Sequence, residues 1–180
     1  MAIRCTPLLG MALLVLVACG PKPEAAAPPE AVSPPAAEAP MHQALTGLFT
    51  ASSTTAMGIT GDLAVTPERI TLSRGQQLDT AAAAAISPTT LIGAGQPSFA
   101  ETYVGPTSLA LELRKVTSTT NTEGSTPQPL CGATPVSHVA FASNADQSTV
   151  TMLVFSGEEA PGDTATRSQL CGAFTYGPLS

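Results

Sequence analysis

Thr107-Ser108-Leu109-Ala110-Leu111-Glu112-Leu113-Arg114-Lys115-Val116 alternates apolar and other residues with a period of two. In an extended chain, neighbouring side chains point to opposite faces, so Leu109, Leu111 and Leu113 share one face and Ala110, Glu112 and Arg114 the other. A helix would scatter the three leucines around its axis. The stretch therefore reads as a strand of an antiparallel sheet with one dry and one wet face.

The same reading extends outward from it. Ala44 to Ala51 reads as a first strand, and Ser52 to Ala56 as polar loop. Ile59 to Val65 and Glu68 to Ser73 read as a hairpin around Thr66-Pro67. Gln76 to Thr80, Ser98 to Val104, Val136 to Ala142, Thr149 to Phe155 and Gln169 to Tyr176 are the remaining strands. Thr117 to Pro129 and Gly157 to Ser168 are the two long polar loops. Ala81 to Ala85 is open between a short helix, since alanine is the best helix former, and a strand with small side chains. Eight or nine short strands with turn residues between them make an all-β domain. Short links between neighbours favour a single small antiparallel barrel of the up-and-down kind, with a β-sandwich as the alternative.

Upstream of residue 41 the composition is different. Residues 1–18 have the parts of a secretory signal: Arg4, then an apolar run from Leu8 to Val17, then small residues. The run is too short for the roughly 20 residues of a membrane-spanning helix. It ends in Leu16-Val17-Ala18-Cys19, which resembles the lipobox of bacterial lipoproteins. By that resemblance Cys19 receives the lipid and becomes the mature N-terminus, and the protein is held on a membrane of the cell envelope. More than one acyl chain is needed for a stable hold. Gly20 after the cysteine, where inner-membrane retention often uses Asp, points by the same resemblance to the outer membrane, facing the periplasm. Residues 19–40 carry seven prolines among Ala and Glu. Proline fixes φ and removes an amide donor, so this segment reads as a disordered tether. Residues 41–180 form the β domain.

Between residues 41 and 180 there are five basic side chains against ten acidic ones, and only Arg114-Lys115 are adjacent. Such a surface disfavours nucleic acid as a partner. Cys5 leaves with the signal and Cys19 is taken by lipid. In the oxidising compartment that the lipobox implies, Cys131 and Cys171 are expected to form a disulfide. A metal site lacks ligands, since no CxxC occurs and His42 and His138 are the two histidines. Leu130-Cys131-Gly132-Ala133 recurs as Leu170-Cys171-Gly172-Ala173, each copy after a long polar loop, and a short duplicated unit is one account of it.

No catalytic motif is present: there is no GxSxG, HExxH or P-loop, and no cofactor is implied. His138 is the one histidine inside a strand. Ser137 and Asp146 are its candidate partners, but adjacent strand residues face opposite ways, which argues against Ser137. The leading expectation is a non-catalytic, lipid-anchored β domain that binds a partner protein or envelope component. Loops on a rigid scaffold carry such contacts. The candidate residues are Asn121, Glu123, Glu158, Glu159 and Asp163, on loops that a Cys131–Cys171 bond would gather at one end. The alternatives are a carrier of small molecules or lipid in the barrel interior, and an enzyme using His138.

Overall fold

The computed structural model describes residues 44–81, 84–103 and 110–179. The expected signal, the expected lipidation site Cys19 and the expected tether lie outside the described residues, as do Thr107, Ser108 and Leu109 of the strand quoted above.

Nine strands are found among the described residues: β1 (Gly47–Ala51), β2 (Leu63–Val65), β3 (Arg69–Leu72), β4 (Gln76–Thr80), β5 (Ala84–Ala85), β6 (Ala110–Asn121), β7 (Val136–Ser143), β8 (Val150–Gly157) and β9 (Ser168–Pro178). Every pairing is antiparallel. The ladder runs β1-β2-β3-β4-β6-β7-β8-β9 and returns to β1, so eight strands close an up-and-down barrel rather than a sandwich. Closure removes most of the free sheet edge that an open sheet would leave. The two-residue β5 continues the line of β4 along β6, opposite Leu113 and Glu112. The second half of the alanine run is thus strand; Ala82 and Ala83 lie outside the described residues.

The interior is built from one side-chain parity of each strand. Phe49, Leu63, Val65, Ile70, Leu72, Leu78, Val139, Phe141, Met152, Val154, Phe174 and Tyr176 form one continuous core. Burial of this apolar area is the main stabilising term, about 1.5–3 kcal/mol for each large side chain. A second, smaller core lies on the outside of β6–β9. There Leu111, Ala140, Ala142, Leu153 and Phe155 are covered by Phe99, with Ile86 and Ile92 beside them. Phe99 meets Phe155 edge-on, with ring centroids 6.1 Å apart.

That cover differs from the strand expected over Ser98 to Val104. The segment is a helix, α1 (Phe99–Tyr103), with only a single bridge from Ser98 to Leu91. Its cause is local chemistry. Ser98 Oγ accepts the Glu101 amide at 3.2 Å, and Glu101 Oε2 accepts the Ser98 amide at 2.9 Å. This reciprocal capping box satisfies two backbone donors that a helix start leaves over.

The alternation in β6 is real, but its assignment to a wet and a dry face is overturned. Leu111 pairs with Ala142 on the outer, covered face. Glu112 and Arg114 face Phe141 and Val139 inside the barrel, and they are 2% and 0% exposed. Both faces of this part of the strand are dry. β6 also runs on to Asn121, so Thr117 to Asn121 is strand and not loop. The strand expected over Ile59 to Val65 is cut short: a π-helical turn, Ala56–Thr60, takes up Ile59 and Thr60, and β2 starts only at Leu63. Ala56 and Thr60 are buried, and the Thr60 hydroxyl lies 2.7 Å from the Tyr176 hydroxyl.

Successive barrel strands run in opposite directions, so the connections sort onto two ends. Ala44 and Leu45 enter at one end, together with the β2–β3 turn at Thr66-Pro67 and the β7–β8 turn. The β1–β2, β3–β4, β6–β7 and β8–β9 connections lie at the other. These are called below the Leu45 end and the disulfide end.

Candidate functional site

The Leu45 end is closed by a buried ion pair. Arg114 Nε donates to Glu112 Oε1 at 2.8 Å, and Arg114 Nη2 lies 2.7 Å from the same oxygen. Residues two apart on a strand share a face, which is why they meet. The remaining guanidinium donors go to backbone: Nη2 to the Leu45 carbonyl at 2.7 Å, and Nη1 to the Thr66 carbonyl. The Leu45 amide in turn donates to Glu112 Oε2 at 2.8 Å. The guanidinium sits over the Phe141 ring, 5.5 Å from its centroid. Arginine suits this place because its planar fork satisfies several acceptors at once. Glu112 and Arg114 thus clamp both backbone groups of Leu45, where the chain enters the barrel. With Glu112 at 2% and Arg114 at 0% exposure, the pair acts as a structural clamp.

The disulfide end holds the loops. Cys131 and Cys171 are bonded, with Cα atoms 5.0 Å apart, tying the β6–β7 connection to β9. The repeated Leu-Cys-Gly-Ala tetrapeptide takes two different conformations. The first copy is a turn whose Gly132 has φ +62°, and the second lies within β9. A duplicated structural unit is therefore excluded, and what the copies share is the bond between them.

All five loop residues fall at this end, in two groups. Asn121 ends β6 opposite Gln76, and Glu123 is exposed in the following turn, which hydrogen-bonds back to Gly75 through Thr122 at 2.7 Å. Glu158, Glu159 and Asp163 lie between β8 and β9, and most of their capacity is spent on their own loop. Glu159 accepts the amides of Thr166 and Arg167 and the Arg167 side chain, which together hold its carboxyl below the usual range. Glu158 pairs with Arg167, and both are well exposed. Asp163 Oδ1 accepts the Leu91 amide at 2.6 Å, which folds the loop onto the segment before α1. Among the described residues no hydrogen bond or ion pair joins the first group to the second; the disulfide connects them through the backbone.

His138 does bond to Ser137, with Nδ1 3.1 Å from Oγ, contrary to the expectation from strand alternation. The reason is a break in register between Val136 and His138, which turns Ser137 out of the alternating pattern. Asp146 lies at the far end of β7, where it accepts the Ser148 amide, so it is no partner of His138. His138 is buried opposite Lys115. Burial first, and the lysine charge second, hold its pKa below the ordinary histidine value. A depressed histidine means that the unfolded chain binds the proton more readily. Stability is then full above the unfolded value near 6.5 and falls as the pH drops towards the folded one. His138→Gln is expected to shrink the loss of Tm between pH 7.5 and pH 5.5, measured by circular dichroism. An unchanged difference would refute this role for His138.

Among the described residues no group of three or more His, Cys, Asp or Glu side chains is placed to hold a metal, and no helix is long and apolar enough to cross a membrane. Sequence reasoning missed the Arg114–Glu112 pair. Their spacing of two on one strand was the available signal, and their partners Leu45 and Thr66 are far away in sequence.

The fold and its two ends define an eight-stranded up-and-down β-barrel, clamped by a buried Arg–Glu pair at one end and laced by a disulfide at the other. No protein-family model matches the chain, and neither a curated protein nor a solved structure matches it significantly.

Proposed function

We propose that this chain is a lipid-anchored envelope protein whose barrel serves as a rigid, non-catalytic platform for a partner protein, engaged at the disulfide end. The observation that carries the reading is the separation of the two ends. The chain enters the barrel at Leu45, held by Arg114 and Glu112, while the long polar connections with Glu123 and Glu158 gather at the opposite end. Such an arrangement suits a domain that is held from one side and read from the other. Exposed charges on a rigid rim set partner choice and association rate more than they set fold. The interior core side chains Phe49, Phe141, Phe174 and Tyr176 are at most 5% exposed, so the reading draws on the surface and not on an interior ligand.

The anchor and the platform are tested separately. Radiolabelled palmitate is expected to enter the chain at Cys19, and Cys19→Ser to abolish the label. Label-free protein recovered from the soluble cytosolic fraction would overturn the anchor. For the platform, a Glu123→Lys, Glu158→Lys double variant is expected to lose at least ten-fold in partner cross-linking in intact envelopes, with an unchanged Tm. Undiminished cross-linking would overturn engagement at this end.

A further inference from the structure

β9 is longer than the strand that pairs with its outer edge. Of its eleven residues, only Tyr176, Gly177 and Pro178 pair with β1. β1 then turns away, and its continuation makes a last contact where the Ser52 and Ser53 amides donate to the Thr175 carbonyl, at 2.9 and 3.2 Å. The Thr175 amide meets Ser53 Oγ at 3.2 Å. β8 covers the other edge of β9 all the way to Ser168. From Ser168 to Phe174, therefore, no strand among the described residues occupies the outer edge.

In an antiparallel ladder the amide and carbonyl of one residue point to the same side, and the side alternates along the strand. Thr175 points outward, so Ala173 does too. Proteins guard such edges with lysine, proline or bulges. The sequence here, Ser168-Gln169-Leu170-Cys171-Gly172-Ala173-Phe174, has no charge and no proline. Its one guard is the irregularity at Cys171, which the disulfide fixes in place. The surroundings are shaped for a guest. Two surface pockets of about 440 and 230 Å³ meet at Gln169 and Leu170, at the Ser168 end of this stretch. The Ser168 hydroxyl is shielded from solvent without a hydrogen-bond partner.

We infer that the outer edge of β9, Ser168 to Phe174, takes up an extended segment of the partner protein as an added strand. This deepens the platform reading and rests on it. Backbone groups in a row call for another backbone, and main-chain bonds supply the affinity in this mode of recognition. The flanking loop carries Glu158, Glu159 and Asp163 against Arg167 alone, so the guest has Lys or Arg beside its strand.

The test begins with the mature chain alone. Amide exchange followed by NMR is expected to show the Ala173 amide exchanging at least ten-fold faster than that of Phe174, which faces β8. Equal protection overturns the inference. A displayed library of random linear dodecapeptides is then panned against the mature chain. The expected binders carry Lys or Arg, slow the Ala173 amide, and lose at least ten-fold in affinity on Ala173→Pro, which removes one outward donor and leaves the β8 ladder intact. If that variant does not fold, N-methylation of alternate residues in the selected peptide makes the same cut on the native protein. The inference is overturned by a library that yields no binder, by binders indifferent to both changes, or by a dimer in solution that Ala173→Pro dissolves. If cross-linking from the loops persists undiminished in a folded Ala173→Pro protein, the edge inference falls and the platform reading stands. If cross-linking from the loops is absent in the native protein, the platform reading itself falls.

Discussion

Arg114→Ala lowers the folding free energy by about 3–5 kcal/mol, the scale for removing one partner of a buried pair. The loss has two sources. Glu112, 2% exposed, is left in the interior without the guanidinium beside it. The Leu45 carbonyl also loses its donor, and a buried acceptor left unsatisfied costs about 1–3 kcal/mol, whereas water can replace the donor at exposed Thr66. Urea denaturation followed by far-ultraviolet circular dichroism reads the change as a lower midpoint. Arg114→Met combined with Glu112→Leu is expected to recover part of the loss, since no charge then remains to be desolvated. A loss below about 1 kcal/mol, the scale of an exposed pair, would mean that water reaches the clamp.

Cys131→Ser with Cys171→Ser is expected to cost about 4 kcal/mol, because the bond closes a long loop in the unfolded chain. The separation of 40 residues sets that figure. The effect should appear as a lower Tm with the β content retained, since the ladder closes through hydrogen bonds of all eight barrel strands. Reduction of the native chain should reproduce it. An equal Tm with and without reductant would show that the two serines change nothing the bond contributes. A small domain has about 5–15 kcal/mol in total, so losing the clamp and the disulfide together brings the chain close to unfolding. The two lie at opposite ends and share no partner, so their costs are expected to add.

The strands with clear alternation were legible in the residues. β4 coincides with Gln76 to Thr80, and β7, β8 and β9 differ by one or two residues at their ends. Local pattern carried them, because turn residues bound each one, and β-branched and aromatic side chains recur in β7, β8 and β9. α1 was not read, because Phe99 and Tyr103 resemble strand residues; the deciding feature was the Ser98–Glu101 capping box, a side-chain bond rather than a periodicity. The faces of β6 were separated correctly and then assigned to the wrong surroundings. Alternation says which side chains go together, but not which set the closed barrel will enclose. Apolar Leu111 was free to go outward only because Phe99 covers it, and Arg114 could go inward only because Glu112, Leu45 and Thr66 receive it. Those partners come from distant segments, and no local window contains them. At the disulfide end the cysteine pair was legible from counting. The use of Glu159 and Asp163 to hold their own loop was not, since it depends on backbone amides.

The platform is tested most directly by site-specific photo-cross-linking in living cells, with the photoreactive residue placed singly at Glu123, at Glu158 and, as the control for the Leu45 end, at Glu68. The account predicts one partner band shared by Glu123 and Glu158 and none at Glu68. A band at Glu68 with both loop positions silent would contradict it.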